Sequence, residues 1–223
     1  MKIFKLNLFI GILLFLLASA CSKVEDEVIY YPPKGDESFS YFPMSVGSYW
    51  IYEQYKIEQG MEEQATGVYD SIYVAKDTFI NTNQYYILRS GFSDSWKSIL
   101  RDSSGYLVNE QGKRLFKDNA TGEVLYKKLS LNNDSDTIYM EKLIMEEPTT
   151  MIKVPAGTYS VVNAAFYQYF PKALTTPKER MLDYMYAKNV GLVYRSYYDL
   201  DSGNKFSYQL LWYHNSIIHT QTK

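Results

Sequence analysis

The stretch Lys205–His214, KFSYQLLWYH, decides the fold class. Every second residue from Phe206 to Trp212 is apolar or aromatic, and the residues between them are of mixed character. A period of two is typical of a β-strand that has one face on the core and the other toward water. We therefore expect a strand here, with the alternate residues from Phe206 to Trp212 on its core side.

Short segments of the same kind recur along the chain and are separated by turns rich in Gly, Asn and Asp. They favour the tyrosine and β-branched residues that strands prefer. The sequence therefore predicts a mainly β protein, a single antiparallel meander that forms a curved sheet or open barrel, with little helix outside an N-terminal signal peptide. The predicted strands are Tyr49–Ile57, Val68–Lys76, Tyr85–Arg89, Ser95–Arg101, Tyr106–Asn109, Arg114–Lys117, Val124–Lys128, Thr137–Met145, Thr150–Val154, Thr158–Tyr169, Arg180–Tyr186, Leu192–Tyr198 and Lys205–His214.

Residues 1–20 have the three parts of a secretory signal peptide. Lys2 and Lys5 supply the charged start, the apolar run Leu6–Leu17 follows, and the small residues Ala18–Ala20 come before the expected cleavage point. The apolar run is too short for a permanent transmembrane helix, which needs roughly twenty residues. We therefore expect cleavage after Ala20.

Cys21 follows the expected cleavage point and is the single cysteine of the chain. Without a disulfide partner, its thiol would be reactive in an oxidising compartment unless it is modified. The run Leu17–Cys21 resembles the bacterial lipobox, in which lipoprotein signal peptidase cuts before a cysteine that carries diacylglycerol; the common leucine three residues earlier is Ala18 here. The resemblance implies that Cys21 is acylated and anchors the chain, because two or more acyl chains hold a protein stably on a membrane.

The mature chain divides into a tether and a domain. Residues 21–38 are predicted to be a lipidated, extended tether, because they are polar and contain Pro32, Pro33 and Gly35. Residues 39–223 are predicted to form one β-rich domain, since no internal repeat or change of composition divides them and their length suits a single core.

Composition narrows the functional classes. The formal net charge of −2 gives no basic patch for nucleic acid and no attraction to anionic lipid. Tyrosine is abundant, at 23 of 223 residues. A tyrosine ring can pack while its hydroxyl stays hydrogen-bonded, so this excess either follows from strand content or forms a stacking surface for a ligand.

The segment Tyr41–Tyr52 is similar to the opening of a group of uncharacterised Bacteroidetes lipoproteins, in which Phe-Pro, Gly and Trp-x-Tyr introduce the first strand. Val154–Tyr159 and Asn189–Val193 resemble two later hairpin motifs of that group. The acidic run Glu25–Glu27 resembles the signal that sends such lipoproteins to the cell surface, with a periplasm-facing position as the alternative. The resemblance implies an outer-membrane lipoprotein and a curved sheet or open barrel. It transfers no functional residue, because the group has no established activity.

Candidate residues for catalysis are few. His214 and His219 are the two histidines, and no cysteine remains to complete a zinc site. No Gly-x-Ser-x-Gly motif is present. Asn132, Asp134 and Asp136 alternate as in half a calcium loop, but the loop's glycine is replaced, which favours a simple turn. We predict no catalytic residue, metal or cofactor.

Three functional hypotheses remain. The first is a non-catalytic module that binds a glycan or an apolar ligand at the cell envelope through Trp50, Trp96 and Trp212. The second is a structural or accessory lipoprotein that holds another envelope protein by a sheet edge or an aromatic patch. The third is a hydrolase, whose pair of carboxylates would meet only in the folded chain.

Overall fold

The computed structural model describes residues 41–58, 60–93, 95–131, 137–147, 149–171, 179–199 and 202–216. Residues 1–40 lie outside these ranges, and with them the predicted signal peptide, Cys21, the tether and the first two residues of the predicted domain. His219 and the predicted turn that contains Asp134 also lie outside them. No helix long and apolar enough to cross a bilayer occurs in these ranges.

The described part of the chain consists of strands and connecting turns, with no helix. All strand pairs are antiparallel, so the predicted fold class is confirmed. The fourteen strands are β1 (Tyr49–Ile57), β2 (Gln64–Ile80), β3 (Asn83–Ser90), β4 (Lys97–Ser103), β5 (Tyr106–Asn109), β6 (Arg114–Lys117), β7 (Val124–Leu131), β8 (Thr137–Met145), β9 (Thr149–Val154), β10 (Gly157–Tyr169), β11 (Glu179–Leu182), β12 (Tyr184–Ala187), β13 (Gly191–Tyr198) and β14 (Lys205–His214).

The strands form one sheet that curves into a nearly closed barrel. Its order is β6-β5-β4-β3-β2-β1-β14-β13-β12-β10-β8-β7, with β9 and β11 paired to β10 beside this path. The two ends of the order come together, since β6 also contacts β7 and β8. Pairing of the first and last strands, β1 with β14, joins the two halves of the meander.

One predicted strand, Arg180–Tyr186, is split into β11 and β12 at the buried residue Asp183. At Asp183 a side chain replaces one backbone partner: the N–H donates to Ser196 Oγ at 2.9 Å, while the carbonyl oxygen still accepts from the Ser196 N–H at 2.9 Å. The Asp183 carboxylate accepts from Asn163 Nδ2 at 3.0 Å. Lys205 Nζ lies 3.5 Å from the same carboxylate. The break in the strand therefore accommodates a buried polar network.

Leu210 is buried as expected and Phe206 and Tyr208 are half-buried, but Ser207 is buried as well, and the prediction that Trp212 lies on the core side is wrong. The register with β1 shifts between Leu210 and Trp212: Ile51 pairs with Trp212, and the next residue, Tyr52, pairs with Leu210. This β-bulge at Leu211 reverses the faces. Trp212 consequently points outward with 50% of its surface exposed.

The buried side chains form two clusters that share the barrel interior. One is built around Trp50, Tyr52 and Leu210, and the other around Phe116 and Tyr186. The segment before β1 closes the second cluster, because Tyr41, Phe42 and Met44 pack against it. The chain that precedes the first strand is thereby part of the core, and the Phe-Pro motif anchors it there.

Candidate functional site

The barrel contains a partly open chamber of about 200 Å³, which we call the first chamber. Every strand from β1 to β6, together with β12 and β13, contributes to its wall, so it lies between these strands. Most of its lining is apolar or aromatic, as in pockets for small molecules. Characteristic lining residues are Phe42, Trp50, Leu88, Trp96, Ser98, Leu100, Tyr186 and Arg195.

Two of the three tryptophans that the sequence singles out line the first chamber. Trp50 is buried and donates its indole N–H to the carbonyl oxygen of Val190 at 2.5 Å. The Val190 carbonyl can approach because Gly191 has a φ of +102°, and a Cβ there would come within 3.1 Å of the indole nitrogen. Trp96 packs against the same core cluster from the turn before β4.

Trp212 is separated from the other two tryptophans by the sheet itself. Its ring lies on the outer face, with its centroid 5.0 Å from that of Tyr49. Tyr49 in turn lies 5.6 Å from His214, which is exposed. The structure thus gives a small aromatic cluster on the outside of the barrel and a separate, partly open chamber with an aromatic lining.

Arg195 is the charged residue among the described side chains that line the first chamber. Its Nη2 donates to Asp70 Oδ2 at 3.0 Å, and Ser90 Oγ donates to the other oxygen of Asp70 at 2.7 Å. The guanidinium also lies 4.6 Å from the ring centroid of Tyr208, a cation–π distance. This ion pair neutralises the chamber wall, so the first chamber favours an uncharged group.

The tyrosines that face the chamber keep their protons over a wide pH range. Burial raises the pKa of Tyr52, whose hydroxyl donates to the Leu192 carbonyl oxygen at 2.9 Å. Burial likewise raises the pKa of Tyr186. Both rings therefore act as neutral, mostly apolar wall and bring no negative charge to the site.

The described residues contain no group of three or more His, Cys, Asp or Glu side chains that could hold a metal ion. Of the two histidines considered above, His214 lies on the outer face, and His219 falls outside the described ranges. The acidic residue beside the first chamber, Asp70, is engaged by Arg195 and Ser90. The first chamber, with its mostly apolar lining, is therefore suited to binding a small molecule.

Sequence reasoning missed Asp70 and Arg195, which are 125 residues apart in the chain. No local pattern marks either residue, because the pairing depends on side chains of β2 and β13 that meet across β1 and β14, which lie between those strands in the sheet. The hairpin motifs were more informative: Val154–Tyr159 forms the turn between β9 and β10, and Tyr159 Oη donates to the Ala156 carbonyl oxygen at 3.1 Å.

No protein-family model and no curated protein matches the chain. Two crystal structures resemble it in fold. A candidate lipoprotein from Parabacteroides distasonis has a TM-score of 0.46 and 13% identity, over 80% of this chain and 100% of that one. A candidate exported protein with a YmcC-like fold from Bacteroides fragilis has a TM-score of 0.42 and 12% identity, over 79% of this chain and 99% of that one.

Both organisms are Bacteroidetes, the group named by the sequence resemblance; the first protein is described as a lipoprotein and the second as an exported protein. At these low TM-scores and identities the likeness carries no argument about activity or ligand. The lipobox and the acylation of Cys21 stay predictions.

Proposed function

We propose that this chain is a non-catalytic binding protein that holds a small apolar ligand in the first chamber. The observation that carries the proposal is the space itself, about 200 Å³ beside Trp50 and Trp96. Protein interiors are close-packed and contain few voids larger than a water molecule. An apolar cavity of about 150 Å³ takes up benzene, so a space of this size accepts an apolar group.

The wall chemistry supports an apolar ligand over a reactive one. Arg195 and Asp70 form an ion pair, although the buried Nε of Arg195 has no hydrogen-bond partner among the described residues, and Tyr52 and Tyr186 are neutral. Filling the space with a ligand would restore the dispersion contacts that an empty cavity lacks and would remove apolar surface from water.

A fluorescence titration tests the proposal. In a Trp212→Phe variant, emission comes from Trp50 and Trp96, which both line the chamber. We expect a saturable change on titration with dodecanol. Ser98→Phe in the same background should weaken dodecanol binding at least tenfold, because Ser98 pairs with Leu88 on the inner face and a phenyl ring there would fill the chamber.

The matched control is Ser160→Phe, which places the same ring at an exposed position of β10 and should leave the affinity unchanged. A flat titration, or equal affinity in the Ser98→Phe variant, would count against the chamber as a binding site. An oligosaccharide titration of the unmodified chain addresses the glycan alternative, in which sugars would stack on exposed Trp212. Contact with another envelope protein stays an alternative prediction.

We also propose that Cys21 is acylated and ties the binding domain to an envelope membrane. The support is the sequence alone: a charged start, a short apolar run and a single cysteine at the cleavage point. In a bacterial host with lipoprotein signal peptidase, Cys21→Ser should move the protein from the membrane fraction to the soluble fraction. Ser22→Ala is the control and should remain in the membrane fraction. Mass spectrometry that finds an unmodified Cys21 in the mature protein would refute the anchor.

A further inference from the structure

A second chamber of about 220 Å³ adjoins the first one. The two chambers have Leu115, Tyr184 and Tyr186 in common, so these side chains form the partition between them. The residues that line the second chamber alone are Lys113, Leu143 and Phe166. The barrel therefore offers two adjacent, partly open spaces: the first is mostly apolar with Arg195 paired to Asp70, and the second contains a lysine.

Lys113 places its ammonium group against two aromatic rings, where it can pair with an anion. Its Nζ lies 3.6 Å from the ring centroid of Tyr126 and 5.7 Å from that of Phe166. Among the described residues, no carboxylate lies within the 4.0 Å ion-pairing distance of this ammonium group. Partial burial lowers the pKa of Lys113, which is the expected cost of placing a cation on aromatic rings with little water.

The nearest candidate counterion is already engaged by other groups. Glu141 accepts hydrogen bonds from the Tyr126 hydroxyl at 2.6 Å and from the Tyr139 hydroxyl. The bond to Glu141 raises the pKa of Tyr126 to about 12, so the phenol keeps its proton. Lys128 adds a second positive charge near Lys113. Glu141 forms no direct ion pair with Lys113 and acts on it only through its longer-range charge, which partly offsets the effect of burial on the pKa of the ammonium group.

We propose that the ligand is an anionic amphiphile whose aliphatic chain extends from the first chamber into the second, where its carboxylate pairs with Lys113. This rests on the proposed function, since it requires the first chamber to bind an apolar group. A benzene-sized group fits about 150 Å³, so each chamber accepts a group of about six to eight carbon atoms. A medium-length fatty acid matches the two chambers together, and its charge would be neutralised by Lys113.

The experiment compares dodecanoate with dodecanol, which have the same chain but differ in charge, below their micellar range and by calorimetric titration. We expect the unmodified protein to bind dodecanoate at least tenfold more tightly than dodecanol. Lys113→Met should abolish that preference by weakening dodecanoate alone. Lys113→Arg should keep the preference, because it keeps the charge. Lys153→Met, at an exposed position of β9, is the matched control and should bind both probes as before.

The possible failures are distinguishable. If Lys113→Met retains the preference for dodecanoate, or if the unmodified protein has none, the carboxylate site is refuted while the apolar chamber stands. If neither probe binds, the proposed function is refuted and the carboxylate site with it. Unchanged dodecanol binding by Lys113→Met shows that the variant is folded, so a loss of dodecanoate binding is attributable to the lost charge.

Discussion

Phe116→Ala is expected to lower the free energy of unfolding by about 3–5 kcal/mol, the cost of truncating a buried phenylalanine in a core that cannot collapse around the cavity. The Phe116 side chain is 1% exposed. Its ring centroid lies 4.7 Å from that of Tyr186, 5.1 Å from Tyr41 and 5.2 Å from Phe42. Each such aromatic pair adds about 0.5–1.5 kcal/mol beyond area burial, so the effect should lie toward the upper end. Chemical denaturation followed by near-ultraviolet circular dichroism measures it.

Phe79→Ala is the matched control, because that phenylalanine is 68% exposed at the end of β2. Its replacement should change stability by no more than about 0.5 kcal/mol. If Phe116→Ala lowers the free energy of unfolding as little as Phe79→Ala does, the packing of residues 41–44 into the barrel does not support the fold. The outcome also bears on the tether, because the segment that enters this cluster directly follows it in sequence.

The strands were predictable because the signals that form them are local. The short strands Tyr106–Asn109 and Arg114–Lys117 lie between turns that contain Gly105, Gly112 and Asn119, and their observed bounds are the predicted ones. Positive φ at these turn residues matches the residue types that tolerate it. The alternation of side chains then places one face of each strand on the core.

Features that depend on contacts between distant residues were not predictable. The break at Asp183 needs Asn163 and Ser196, which are 20 and 13 residues away. The bulge at Leu211 places Trp212 outside, although its spacing in the sequence assigns it to the inner face. The turn between β2 and β3 was missed as well, since Asn81 and Thr82 adopt positive φ without a glycine.

The candidate site was likewise predictable only in the features that the local sequence determines. Composition indicates an aromatic protein and identifies Trp50 and Trp96, which the barrel brings to one chamber. Nothing in the sequence indicates that Lys113 would lie over Tyr126, or that Arg195 would meet Asp70. Which charged side chains meet at the site depends on closure of the sheet, since closure joins β1 to β14 and brings β6 beside β7.

Asp70→Ala is expected to lower the free energy of unfolding by about 2–4 kcal/mol, because it leaves the Arg195 cation without a counterion. The Arg195 and Asp70 side chains are 23% and 10% exposed, so water can replace only part of the lost interaction. The double variant Asp70→Ala, Arg195→Met should recover a large part of the loss, since removing both charges removes the unpaired one.

The control is Glu58→Ala. The Glu58 and Lys56 side chains of that ion pair are 42% and 38% exposed, so the pair should contribute less than about 1 kcal/mol. Urea denaturation of the four proteins measures the differences. A cost for Asp70→Ala no greater than that for Glu58→Ala would show that water, and not the carboxylate, balances Arg195.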